Sequence, residues 1–243
     1  MKKFLFLPVV LFCGILYAQD LSGSWKLTER NGTEVKDMEV VQIIQDGYFS
    51  IGAKLKEGNK FHSAKGGEFE VTGDKFKIVQ DYNTENPELI GKEINYTFSK
   101  EGDKFTLSDP INNEVWQRIS NKENDLTRNW VITGRERNGE MGTMTPGDRR
   151  TVKILSGDRF QWIAFNSATG EFSGTGGGTY TAKDGKYTEI IEFFSRDDSR
   201  VGASLEFDYE VKDGKWHHNG KSSKGDPIYE IWSPYEEAYQ KSN

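Results

Sequence analysis

Cysteine is almost absent from this sequence. The single cysteine, Cys13, lies in an apolar segment near the N-terminus, residues 4–18. The rest of the chain therefore lacks a disulfide, a thiolate nucleophile and a cysteine-ligated metal. A chain of this length can rely on a buried core instead, because the buried fraction of the surface rises with chain length. We expect a fold stabilised by side-chain packing and backbone pairing.

Long apolar runs are also lacking, apart from residues 4–18. This segment follows Lys2 and Lys3, ends at the small residue Ala18 and is shorter than the ~20 residues that span a bilayer. These are the features of a secretory signal peptide. We therefore predict that residues 1–18 are a signal peptide cleaved after Ala18. The mature protein is expected to be secreted or periplasmic and to have no transmembrane segment.

The sequence has neither an excess of positive charge nor a basic run. Its formal net charge is −6, and loss of Lys2 and Lys3 with the signal peptide makes it more negative. An acidic chain repels the phosphate backbone of DNA and RNA. We therefore do not expect it to bind nucleic acid.

Common catalytic and cofactor motifs are missing as well. The sequence has no G-x-x-x-x-G-K-[ST] phosphate loop, no H-E-x-x-H zinc motif and no G-x-S-x-G nucleophile motif. Its histidines, His62, His217 and His218, do not have the spacing of metal ligands, and a metal site needs several convergent ligands. We expect no cofactor and no metal. The glycine-rich residues 174–178 precede no helical pattern, which favours a β-bulge or a tight strand crossing.

The chain does contain an internal repeat. Residues 67–76 match residues 178–187, and the same offset of 111 residues matches residues 41–43 to residues 152–154. The agreement continues over much of each half without a gap, which indicates a duplicated unit.

This repeat predicts two homologous domains. The first spans residues 20–120 and the second spans residues 125–243, with the polar residues 120–125 between them. The glycine- and threonine-rich residues 142–147 are an insertion in the second domain and are typical of a loop.

Both repeats show the two-residue period of β-strands. Leu205, Phe207, Tyr209 and Val211 alternate with charged residues, which places one face of the strand on a core and the other in water. Dipeptides such as Asp213-Gly214 mark turns between such runs. About eight strand candidates per repeat favour an all-β fold, an antiparallel up-and-down barrel. A two-sheet sandwich is the alternative.

Short segments resemble the lipocalins and their calycin relatives. Residues 21–25, Leu-Ser-Gly-Ser-Trp, are similar to the Gly-x-Trp opening of those proteins, whereas residues 128–130 of the second repeat read Arg-Asn-Trp. A lipocalin-like family of unknown function, found in secreted proteins of Bacteroidetes, is similar to residues 175–180, 192–196, 204–209 and 229–232. The resemblance implies an exported protein with two tandem small lipocalin-like antiparallel β-barrels. It implies no reaction, ligand or catalytic residue.

Comparison of the repeats indicates where a ligand would bind. At the positions of Ile78 and Leu107, the second repeat has Glu189 and His218. If these two side chains point inward, they indicate a polar cavity, because a buried ionisable group needs a partner. The alternative is a one-residue shift of strand phase at a bulge, which would place both on the surface.

Aromatic residues complete the predicted site. Trp162 and Trp216 replace the smaller Ile51 and Phe105 of the first repeat. The predicted ligand-binding residues are Trp162, Glu189, Tyr209, Trp216 and His218. An eight-stranded barrel holds one small ligand or is filled by its own side chains, so a solid barrel is the alternative here.

Three functions remain open at this point. The first is an exported binding protein that holds a small apolar, aromatic or glycan-like ligand in the second repeat. The second is a small exported hydrolase, isomerase or lyase that uses Glu189 and His218 as acid and base. The third is an interaction protein of a cell-envelope or glycan-handling assembly, with a protein partner that the sequence does not identify.

Overall fold

The computed structural model describes residues 21–222 and 224–240. The predicted signal peptide, residues 1–18, lies outside the described residues. Regular structure in the described ranges is almost entirely β-strand, in two antiparallel sheets of nine strands each. None of the helices in these ranges has the length and apolar character needed to cross a membrane.

The first sheet contains the strands between residues 23 and 120. They are β1 (Gly23–Arg30), β2 (Thr33–Glu34), β3 (Met38–Gln45), β4 (Tyr48–Leu55), β5 (Phe61–Thr72), β6 (Lys75–Asn83), β7 (Glu93–Glu101), β8 (Lys104–Ser108) and β9 (Asn113–Ser120). Short 3₁₀ helices span Glu57–Asn59 and Pro87–Leu89.

The second sheet repeats this order. Its strands are β10 (Arg128–Arg137), β11 (Glu140–Thr143), β12 (Arg149–Ser156), β13 (Arg159–Asn166), β14 (Glu171–Lys183), β15 (Lys186–Phe194), β16 (Ser204–Lys212), β17 (Lys215–Lys221) and β18 (Pro227–Pro234). A 3₁₀ helix spans Asp198–Arg200, and the short helix α1 (Tyr235–Ala238) follows the last strand.

Each sheet closes on itself. Strand β1 pairs with both β3 and β9, and β10 pairs with both β12 and β18, whereas β2 and β11 each extend one strand only. The result is two closed, eight-stranded, antiparallel barrels in tandem. This architecture fits a tandem lipocalin-like duplication. It confirms the predicted all-β fold class and excludes the sandwich.

Two-residue hairpin turns occur where the sequence predicted them. Asp184 and Gly185 connect β14 to β15 with φ angles of 52° and 76°, and Asp213 and Gly214 connect β16 to β17 with 51° and 71°. Positive φ at both central residues gives the turn whose twist matches that of the flanking strands. These turns fix the register that directs every second side chain of β15 and β17 into the barrel.

The two barrels pack on each other through β3 and β12. Outward-facing apolar side chains of these strands, among them Ile43, Val152 and Ile154, belong to one buried cluster. Across the interface, Ser50 Oγ lies 2.6 Å from Gln161 Oε1, and these residues are 111 positions apart, so they are equivalent in the two repeats. Equivalent residues that contact each other indicate a pseudo-two-fold arrangement, like the isologous interface of a symmetric dimer.

A buried ion pair lies in this interface. Arg150 Nη2 on β12 is 2.8 Å from Asp81 Oδ2 on β6, and both side chains are almost fully buried. The same carboxylate oxygen accepts a hydrogen bond of 3.0 Å from the hydroxyl of Tyr48. The Arg150 guanidinium also lies 4.0 Å from the centre of the Tyr239 ring. Because a buried charge without its partner is strongly unfavourable, this pair ties the second barrel to the first.

We therefore expect Asp81→Asn to destabilise the protein by about 3–5 kcal/mol, since the substitution leaves the Arg150 charge buried without a counter-charge. Urea unfolding followed by intrinsic fluorescence measures the change. The control is Glu70→Gln, which removes the exposed ion pair with Lys77 in the same barrel. Because water screens an exposed ion pair, this control should change the free energy of unfolding much less than Asp81→Asn does. Equal effects of the two substitutions would contradict the role of the interface pair.

Candidate functional site

The two barrels differ in their interiors. The second barrel contains an open cavity of about 470 Å³ whose wall includes Thr151, Trp162 and Ala164. The corresponding region of the first barrel, lined by Val40 and Ile51 among others, leaves about 40 Å³. Cavities of a few hundred cubic ångströms hold small organic ligands. The second barrel therefore has room for a ligand and the first does not.

A buried ion pair lies at the inner end of this cavity. Lys153 Nζ on β12 is 2.5 Å from Glu189 Oε1 on β15. The hydroxyl of Tyr187 donates to the same oxygen at 2.8 Å. Lys153 Nζ also lies 5.2 Å from the ring centre of Trp216, near enough for a cation–π interaction. Both charges are thus compensated although both side chains are at most 5% exposed.

A second ion pair lies beside the first. Arg135 Nη2 on β10 is 2.5 Å from Glu230 Oε1 on β18. The other oxygen of Glu230 accepts a 3.1 Å hydrogen bond from Trp232 Nε1 and lies 3.4 Å from His218 Nδ1. Burial raises the pKa of Glu230, but the hydrogen bond to His218 and the positive charges nearby outweigh burial and lower it to about 2. Glu230 is therefore a carboxylate at neutral pH.

His218 completes the group of polar residues. It is 2% exposed, and its ring centre lies 4.2 Å from that of Phe207. Burial lowers the pKa of His218, and the hydrogen bond with Glu230 offsets this only in part. We therefore assign a neutral ring with its proton on Nδ1, facing Glu230. Nε2 is then an acceptor, and it has no hydrogen-bond partner among the described residues.

We call Arg135, Lys153, Glu189, His218 and Glu230 the polar cluster. The ion pair of Arg135 has an equivalent in the first barrel, where Arg30 Nη2 lies 3.0 Å from Glu114 Oε1. The other three members are specific to the second barrel. At their positions the first barrel has Gln42, Ile78 and Leu107.

Aromatic side chains form much of the remaining wall. The Trp162 and Phe194 rings meet edge to face with 5.6 Å between their centres. The glycines of residues 174–178 make room for them, since a Cβ on Gly176 would lie 2.7 Å from Trp162 Nε1. The pairing of β14 with β15 shifts register between Gly177 and Gly178, as the sequence predicted for this glycine-rich segment.

The structure brings three of the five predicted residues together. Trp162, Glu189 and His218 line the cavity, and both ionisable groups point inward. Trp216 is fully buried in the barrel core, where it packs against other aromatic rings, and it does not line the cavity. The Tyr209 hydroxyl donates to the Asp125 carboxylate at 2.9 Å and also lies off the cavity wall.

Arg135, Lys153 and Glu230 were not among the residues predicted from the sequence. Lys153 lies between Val152 and Ile154, so the pattern on β12 suggests that the lysine faces solvent. The apolar neighbours instead face the first barrel, and the lysine faces the interior. Comparison of the repeats could have identified Lys153, because this lysine occupies the position of the uncharged Gln42.

No family model matches this sequence, and no curated protein matches it either. Among solved structures, a lipocalin-like protein from Bacteroides uniformis ATCC 8492 matches with 19% identity and a TM-score of 0.33, over 41% of this chain and 98% of that one. An uncharacterized protein from Bacteroides eggerthii DSM 20697 matches with 18% identity and a TM-score of 0.32, over 41% of this chain and 99% of that one.

The difference in interior volume predicts opposite effects for one substitution at two equivalent positions. Ala53→Phe should destabilise the protein by about 1–3 kcal/mol, because the ring has no space in the first barrel. Ala164→Phe should change stability by less than about 1 kcal/mol, because its ring enters the cavity. Urea unfolding of both variants measures this. A greater loss for Ala164→Phe would show that the cavity is not available to a ring.

The buried neutral His218 predicts a specific pH dependence. Its pKa is lower in the folded than in the unfolded protein, so the unfolded state binds more protons between the two values. Stability should then fall as the pH drops below about 6.5, by up to about 1.4 kcal/mol per pH unit. The window for Glu230 begins lower, near its unfolded pKa of about 4.5, because its folded pKa is about 2.

Urea midpoints at pH 7.5 and pH 5.5 test this dependence. His218→Leu should reduce the loss of stability on acidification, and His62→Gln, at an exposed position of the first barrel, should retain it. An equal loss in wild type and His218→Leu would mean that the imidazole does not titrate in this window.

Proposed function

We propose that this chain is a small-molecule-binding protein and that the second barrel holds the ligand. The observation that carries the proposal is the cavity of about 470 Å³ with aromatic walls and the polar cluster at its inner end. A concave, largely apolar site with a few convergent polar groups is the usual form of a ligand site. We also propose that the protein acts after export, because residues 1–18 have the features of a signal peptide.

The interface between the barrels supports this assignment of roles. Lys153 and Trp162 face the cavity from β12 and β13, whereas their neighbours Val152 and Ile163 pack against the first barrel. A binding site needs a rigid support to hold its side chains in place. In this proposal the filled first barrel holds one wall of the cavity of the second.

Acid–base catalysis is the second candidate, and one observation favours it. Glu230 orients Nδ1 of His218 while Nε2 is free to accept a proton from a bound molecule, which is how a general base is arranged. Glu189, the predicted acid, is instead held by Lys153 and Tyr187. We place binding first because the cluster contributes one free acceptor rather than an acid and a base.

A ligand panel with a blocked cavity tests the proposal. Apolar, aromatic and glycan compounds are added to wild type, to Ala164→Phe and to Val211→Phe, which adds the same ring at an exposed position of β16 that does not line the cavity. A true ligand at 100 times its Kd should stabilise wild type and Val211→Phe by about 2.7 kcal/mol and leave Ala164→Phe unchanged. Thermal unfolding measures the shift.

Two results would overturn the proposal. One is that no compound class stabilises wild type. The other is that Ala164→Phe is stabilised as strongly as wild type. Chemical analysis of the recovered compound separates the two candidates, because a binding protein returns it unchanged, whereas a product that is absent with His218→Leu indicates catalysis.

A further inference from the structure

One acceptor at the cavity wall is not used by any described residue. His218 Nε2 is buried and has no hydrogen-bond partner among the described residues, although the residue lines the cavity. The other ring nitrogen is occupied by Glu230. A buried polar atom without a partner lowers the stability of the fold. A bound molecule with a donor at this point would remove that penalty.

The charges of the cavity wall cancel. Its cations are Arg135, Lys153 and Arg196, and its carboxylates are Glu136, Glu189 and Glu230. In the buried part, each carboxylate already has a cation at 2.5 Å. A ligand with a net charge would break one of these pairs or remain uncompensated, and either is unfavourable in a buried site. The cavity therefore favours an uncharged ligand.

The aromatic wall sets the shape of the ligand. Trp162, Phe194, Phe207 and Trp232 border the same space as His218. Flat aromatic faces pack against other rings and against the C–H faces of sugars, and both leave hydroxyl groups free to reach a polar atom at the ring edge.

We propose that the ligand of the second barrel is an uncharged, ring-shaped alcohol or phenol whose hydroxyl group donates a hydrogen bond to His218 Nε2. This inference rests on the proposed function and adds the chemical class of the ligand. The source of the hydroxyl is either an aromatic ring or a sugar, and the experiment separates the two.

The test compares ligands that differ only in the donor. The aromatic series is 2-naphthol, its ether 2-methoxynaphthalene and the anion 2-naphthoate, and the sugar series is methyl glucoside and its fully O-methylated form. Calorimetric titration at neutral pH measures each Kd. Wild type should bind the hydroxyl form of one series about tenfold more tightly than its methylated form, since the methylated form leaves Nε2 unpaired. It should bind 2-naphthoate more weakly than 2-naphthol.

His218→Leu gives the matched variant, because leucine is the residue that the first barrel has at the equivalent position, Leu107. This variant should bind the hydroxyl and methylated forms with equal affinity. The preference itself is measured on wild type, so the test does not depend on how well the variant folds. His218→Phe, which keeps a ring against Phe207, provides a second variant without the acceptor.

The outcomes separate this inference from the proposed function. If the ether or the anion binds wild type as tightly as the hydroxyl form, or if His218→Leu keeps the preference, the inference is overturned and the binding site stands. If neither series binds but another panel compound stabilises wild type and not Ala164→Phe, the inference again fails alone. If no compound stabilises wild type, both fail.

Discussion

The packing of one barrel on the other is the constraint on which the rest of the structure depends. It buries the outward faces of β3 and β12, which would face water in an isolated barrel. Apolar side chains make up much of the buried contact, and the Asp81–Arg150 ion pair and the hydrogen bond between Ser50 and Gln161 fix the relative position of the two faces. Strands buried on both faces cannot shift by one residue without placing Lys153 in the interface and Val152 in the cavity. The same contact thus holds the barrels together and fixes which side chains line the cavity.

The pseudo-two-fold contact explains how two copies of one unit can come to differ. Equivalent residues meet at the interface, as Phe61 and Phe172 also do with 6.2 Å between their ring centres. The interface therefore constrains both copies alike and leaves their interiors independent. The first interior has Gln42, Ile78 and Leu107 at the positions where the second contains Lys153, Glu189 and His218. Replacing a buried ion pair by packed apolar residues is often neutral or stabilising, and the first barrel shows that this fold accommodates Ile78 and Leu107. A gain in stability is therefore not the reason for Lys153, Glu189 and His218.

Much of the fold could be predicted because the patterns that indicate it can be read directly from the sequence. The 111-residue offset gave the duplication, and the period of two and the Asp-Gly turns gave the strands. The same offset identified Glu189 and His218 as exchanges at inward positions. Lys153 was not predicted, because the alternation on β12 does not show which of its two faces points into the barrel. That becomes clear only once the apolar face is known to pack against the first barrel. Glu230 was not predicted for a different reason. The first barrel has Glu114 at the equivalent position, and comparison of the repeats reveals only positions at which the two residues differ. Trp216 was predicted at the site because it replaces the smaller Phe105, but a larger side chain can belong to the packed core of a barrel as well as to its cavity. Tyr209, also predicted, does not line the cavity.

The neutral state of His218 follows from its position among these charges. Each cation beside it is already paired with a carboxylate, and burial disfavours a third positive charge. Glu230 attracts the proton to Nδ1, which leaves Nε2 unprotonated and fixed in direction. An acceptor held in this way discriminates strongly, because a molecule without a donor leaves it unpaired in a buried site, whereas an apolar wall alone separates related ligands only weakly. Under the proposed function, the aromatic wall contributes affinity for many rings, and His218 Nε2 selects among them.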